Sequence, residues 1–241
     1  MPSVTPAAPG DDRSDDSADE RLARSAAAVE DFLLGLRDAI ARMAGDTAAR
    51  LDPTRDPVPA DLVAAVQPSA ADVLGDDRVL GAGFVADPDA FSGTSLLAWW
   101  QGERRARVAQ PVSLGRDADY RSKEWFRTPL RAGGLHVTGP YLDYVCSDEF
   151  VLTLTLPLED RRGVVLGLAG ADVLAETLEQ VLGPALAPGA VLVNRHDQVV
   201  VAGGGRRFAG DRVDRRAYDR SRACRDLPLT VLSSSRTAGR A

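Results

Sequence analysis

The chain is poor in the residues that most chemistry needs. Its 241 residues include two cysteines, two histidines and two methionines. Two cysteines, Cys146 and Cys224, are too few for a disulfide framework. Reduced thiols in a cytoplasmic protein are the simplest reading, with a single bridge between them left open. His136 and His196 stand far apart in sequence, and neither has a second ligand at a recognised spacing. No metal or other cofactor is therefore expected. No Gly-x-Ser-x-Gly turn offers an activated serine, and Cys146 has no histidine context, so the chain is not expected to be an enzyme.

Other absences narrow the setting. No apolar run approaches the roughly 20 residues of a membrane span. The N-terminus has no basic segment followed by an apolar one, so no secretory signal is read there. Both points set the expectation of a cytoplasmic protein without membrane contact. The net charge is −6, and no basic stripe with interleaved aromatics appears, which excludes nucleic acid as the expected partner. Arginines between 206 and 225 are offset by Asp211, Asp214, Asp219 and Asp226, so this stretch reads as solvated surface.

What is present divides into three parts. Residues 1–19 are Pro, Ala, Gly, Ser and Asp, a composition that cannot bury enough apolar surface to order itself, and they read as a disordered acidic tail. Residues 20–50 read as a long amphipathic helix. Leu22, Ala26, Val29, Leu33, Leu36, Ile40 and Met43 recur at alternating spacings of four and three. Two readings stand: a stripe packed on its own domain, or one that also pairs a homodimer. Prolines 53, 57 and 59 end it. Residues 51–235 form the remaining domain.

That domain alternates in the manner of antiparallel sheet. A short helix is expected over 60–74, and strands over 79–86, 96–101 and 105–113. If 96–101 is a strand, Trp99 and Trp100 point to opposite faces, one into the core and the other towards a pocket wall. A strand over 137–145 is interrupted at Gly139-Pro140. In 150–158 the leucines 152, 154, 156 and 158 share one face and Thr153 and Thr155 the other, so one face is buried. The run 163–170 is apolar on both faces and reads as a central strand. A helix over 173–182, a hairpin over 190–202 and a strand over 227–233 complete the order.

Residues 119–172 hold the candidate site. A charged and aromatic knot (Tyr120, Arg121, Lys123, Trp125, Phe126) precedes a Gly-Pro-Tyr turn with Tyr141, Asp143 and Tyr144, and the second of two strands ends on Asp172. Each has a plainer reading: a solvated Lys123, a core Trp125, turn chemistry at Tyr141 and Asp143, and a helix N-cap at Asp172.

In Asp119, Lys123, Trp125 and Phe126, in Pro140-Tyr141-Leu142-Asp143, in the strand 152–157, and in Gly163, Gly167 and Gly170-Ala171-Asp172, the chain resembles the Cache family of sensor domains. The resemblance implies an α+β fold: a PAS-like antiparallel sheet core with a long N-terminal helix and a helical insert. It also implies a small polar metabolite (an amino acid, amine or carboxylate), with Lys123 and Trp125 holding a carboxylate and Tyr141 and Asp172 an ammonium. Lys123 stands where the family usually has Arg, so the bidentate grip is missing. Phe126 stands where Tyr is usual, which removes a hydroxyl. The alternative is an interaction module without a ligand, acting through helix 20–50.

Overall fold

The computed structural model describes residues 12–51, 58–91, 96–101, 106–107, 120–143 and 149–234. The stripe of apolar residues forms a helix, α1, over Asp12–Arg50. It starts earlier than expected: residues 12–19, read as part of a disordered tail, are helical. A helix already nucleated by packing extends at little cost per residue. Arg220, far along the chain, donates to the Asp19 carboxylate at 3.2 Å and ties down this first section. Residues 1–11 lie outside the described residues.

All seven stripe residues are buried, with Val29, Leu33 and Ile40 at 0% exposure. They pack on a second helix, α2 (Pro59–Val73), and on one face of a sheet. For these seven residues the own-domain packing is what the structure shows. The outer face of α1 carries Arg24, Asp31, Asp38 and Arg42 instead.

The main sheet is antiparallel throughout. Its strands are β1 (Gly81–Ala86), β2 (Leu97–Gln101), β3 (Ala106–Arg107), β4 (His136–Asp143), β5 (Glu149–Glu159) and β6 (Val165–Leu174), in the order β3-β2-β1-β6-β5-β4. The apolar run that became β6 is central, as its pattern required. Of the expected strand 105–113, only 106–107 are described, as β3; positions 105 and 108–113 lie outside the described residues. Between β3 and β4 the chain inserts a 3-10 turn, Tyr120–Ser122, and a helix, α3 (Glu124–Ala132).

A second sheet follows a short helix, α4 (Ala175–Leu182). It comprises β7 (Val191–Asn194), β8 (Val199–Ala202), β9 (Arg220–Ala223) and β10 (Leu229–Ser233), in the order β8-β7-β10-β9. The stretch read as solvated surface is exposed over most of its length, and it also contains β9, a strand that was not expected. Its sequence, RSRA, has no apolar alternation because it is an edge strand whose last three residues are exposed. Its pairing with β10 holds it in place.

Strand β4 carries a bulge between Thr138 and Tyr141. Gly139 sits there at φ +114°, and a Cβ on it would stand 2.5 Å from the Val151 carbonyl oxygen. Only glycine fits that position. Side chains alternate faces along a strand, so one extra residue moves everything beyond it to the other face. Tyr141 therefore pairs with Val151 and shares the face of Thr138 and Thr153. Asp143 follows it.

Candidate functional site

The two faces of the main sheet differ in kind. One, bearing Ala82, Phe84, Trp100, Leu152, Leu154 and Ala171, is core against α1 and α2. The other is polar and glycine-rich. Register places Gln101, Gly81, Asp172, Thr153 and Thr138 side by side across five strands. The next row is Trp99, Gly83, Gly170, Thr155 and His136. A third row, Leu97, Val85 and Leu168, is covered by Tyr120, Phe126, Trp125 and Leu130. Helix α3 thus closes one end of the polar face, and the Thr155 hydroxyl donates to the Trp125 carbonyl at 2.8 Å to hold it there.

Asp172 is the charged centre of the first row. It is 7% exposed, and one oxygen accepts from the Thr153 hydroxyl at 2.6 Å. The Thr153 oxygen in turn lies 2.6 Å from the Tyr141 hydroxyl. Thr153 gives its proton to the carboxylate, so Tyr141 donates to Thr153. Burial pushes the Asp172 carboxyl up to about 7, the Thr153 bond opposes this, and the charge of Asp143 adds to it. The helix N-cap reading of Asp172 is overturned. Strand β6 runs on to Leu174, which occupies the N-cap position of α4 and makes no side-chain cap.

The structure gathers the expected site residues into two groups. Tyr141, Asp143 and Asp172 share the polar face. Tyr120, Trp125 and Phe126 form an aromatic cluster at its end: Trp125 stacks on Tyr120 with centroids 6.1 Å apart, and Phe126 meets both edge-on. The Tyr120 hydroxyl donates to the Ala86 carbonyl at 2.9 Å, and Phe126 is 2% exposed, so these two brace the wall. Lys123 joins neither group. It is the N-cap residue of α3, exposed, and its side chain makes no hydrogen bond or ion pair among the described residues. Asp119, Tyr144 and Cys146 lie outside the described residues. Cys224 is buried, and burial, with Glu30 adding, pushes its thiol up to about 12.

Several neighbours were not expected. Thr153 was placed on the correct face but not in the site; its two hydroxyl contacts appear only when β4, β5 and β6 are aligned. Trp99, rather than Trp100, is the tryptophan on the polar face. A second cluster lies at the start of α3. One Glu124 oxygen is 3.0 Å from His136 Nε2 and 3.1 Å from Arg195 Nη2, and the other is 2.9 Å from His196 Nε2. Burial raises the Glu124 carboxyl, yet its bonds to His196 and His136 and the charge of Arg195 bring it below its ordinary value. Burial drives His136 below the usual histidine range despite Glu124. The cluster fastens α3 to the β7–β8 turn. Beside it the Asn194 amide donates to the Gly139 carbonyl at 2.7 Å.

Among the described residues no group of three or more His, Cys, Asp or Glu could hold a metal ion. No described helix is long and apolar enough to cross a membrane.

Comparison with known proteins agrees with this architecture. Residues 73–180 match the model of the family described as methyl-accepting chemotaxis protein-like, first PDC sensor domain. The ligand-binding domain of the Pseudomonas fluorescens chemoreceptor CtaA, solved with L-valine, is 15% identical. The match covers 94% of this chain and 100% of that one, with a TM-score of 0.66. The corresponding domain of Campylobacter jejuni Tlp3, also with L-valine, is 20% identical over 77% of this chain and 69% of that one, at a TM-score of 0.60. That of the Pseudomonas aeruginosa PAO1 amino acid chemoreceptor PctC, with GABA, is 23% identical over 78% and 75%, at 0.56. The chain has the fold of the Cache, or PDC-type, sensor domains, and its residues 73–180 are similar to the first such domain of chemotaxis receptors.

Proposed function

We propose that the chain is a sensor domain that binds a small polar metabolite bearing a cationic nitrogen, with Asp172 as its counter-ion. The observation that carries this is the placement of Asp172. A buried carboxyl beside a second one, Asp143, is costly to ionise without a cation. The first row holds no lysine, arginine or histidine. An ammonium ion supplies the missing charge, with Tyr141 and Thr153 fixing the carboxylate that receives it. The similar chemoreceptor domains solved with L-valine and GABA support ligands of this size and kind. Trp125 and Tyr120 belong to the aromatic cluster that closes one end of the polar face, and Lys123, exposed and outside both groups, is assigned no contact. No bond-making step is assigned to any residue.

A thermal-shift screen of amino acids, amines and small carboxylates tests the reading. A ligand at 100 times its Kd adds about 2.7 kcal/mol of stability. The expected result is a hit among the amino acids or amines that disappears in Asp172→Asn. Hits confined to carboxylates without an amine, or hits retained in full by Asp172→Asn, overturn it.

A further inference from the structure

The Trp99 indole lies over the glycines of the polar face. A Cβ placed on Gly81 would stand 2.5 Å from Trp99 Nε1, and one on Gly170 would stand 3.5 Å from the far edge of the ring. The indole nitrogen thus occupies the space that a Gly81 side chain would fill. That space is in the first row, between Gln101 and Asp172, because Gly81 pairs with both. Gly81 and Asp172 are paired on neighbouring strands, about 4.8 Å apart, so the indole nitrogen and the Asp172 side chain stand on the same face in neighbouring columns. Yet Trp99 is 5% exposed, and its Nε1 has no hydrogen-bond partner among the described residues. Thr138 Oγ1, at the other end of the same row, is also buried and without a partner there.

A buried indole N–H normally finds an acceptor, and leaving it without one is costly. It cannot be satisfied by a cation, since it is a donor only. We infer that the Trp99 indole N–H is a ligand-binding group, and that Trp99 and Asp172 form a two-point grip on a small cation that also carries a hydrogen-bond acceptor. This rests on the sensor reading above and narrows it. The ligand presents its nitrogen to Asp172 and, a few bonds away, an oxygen to Trp99. A plain alkylamine fills only half of the grip. Gly81 and Gly170 are then part of the site, because they leave the room in which the indole lies.

The test is isothermal titration of the twenty amino acids and GABA, each beside the amine that lacks its carboxylate. Wild type, Trp99→Phe and Asp172→Asn are compared. At least one amino acid is expected to bind about ten-fold or more tighter than its amine, the worth of a hydrogen bond to a charged group. Trp99→Phe should reduce that acid to the affinity of its amine and leave the amine unchanged. A ligand lost in Asp172→Asn but bound equally by Trp99→Phe overturns the inference and leaves the sensor reading standing. Equal binding of acid and amine does the same. Binding of no member of the panel overturns both. Wild-type protein gives a check that does not depend on a variant folding. The ¹H–¹⁵N indole signal of Trp99 should move downfield on ligand binding, and a ligand that binds without moving it contradicts the inference.

Discussion

Replacing Asp172 by asparagine should stabilise the ligand-free protein in alkaline solution and do little in acid. The side chain is the same size, and its oxygen still accepts from Thr153. What changes is the charge. In the folded chain the carboxyl titrates at about 7 instead of the ordinary 3.8. The folded state therefore holds a proton that the unfolded state has lost, and this group's contribution is fully present below about pH 4 and is lost as pH rises through 7. A displacement from 3.8 to about 7 corresponds to about 4 kcal/mol against the ionised form. About 1.5 kcal/mol of that has accrued by pH 5, so the wild type should lose about 2.5 kcal/mol relative to Asp172→Asn between pH 5 and pH 8. For a chain of this length that is a widening in Tm of about 5–10 °C. Thermal melts of both proteins by circular dichroism across this range measure it. Parallel pH profiles would refute the reasoning, because they would mean that Asp172 is ionised at no cost and needs no cation.

Two further outcomes follow from the geometry. Gly139→Ala meets the Val151 carbonyl and an unfavourable φ at once, so it should cost about 1–3 kcal/mol in chemical denaturation. It should also weaken ligand binding, because the bulge sets the face of Tyr141; unchanged stability would contradict the bulge assignment. His136, held neutral by burial, has a folded pKa below its unfolded one. Its contribution is present above the ordinary histidine value and is lost as pH falls through the folded one. Urea melts should show wild type losing stability below about pH 6.5, with His136→Gln flattening that slope; an equal slope in both proteins would exclude His136 as its source.

The sequence carried much of the fold because most elements are amphipathic. The α1 stripe, the leucine alternation of β5 and the apolar run of β6 each follow from periodicity, which reports burial directly. Strand β9 was invisible for the converse reason: an exposed edge strand needs no apolar face, and backbone pairing leaves no trace in side-chain type. The early start of α1 is accompanied by an ion pair from Arg220 to Asp19, a contact across most of the chain that no local pattern announces. Tyr141 and Asp172 could be named from their motifs, but their link through Thr153 depends on register across β4, β5 and β6. That register turns on a single bulge. Trp99 and Trp100 alternate as the pattern required, but which one faced the site depended on where β2 joined the sheet. Glu124, His136 and His196 come together only through the docking of α3 on the β7–β8 turn, so histidine spacing said nothing of it.

Proton release on ligand binding tests most directly whether Asp172 receives a cation. At pH 6 the ligand-free carboxyl is mostly protonated, and a bound ammonium ion should ionise it. Titration calorimetry with the tightest hit of the amino acid and amine screen, in two buffers of different ionisation enthalpy, counts the protons. Close to one proton released per ligand at pH 6, falling towards none at pH 8.5, is the predicted result. Binding heats that do not depend on the buffer at pH 6 would show that the ligand leaves Asp172 protonated, and that the charge pairing proposed here does not occur.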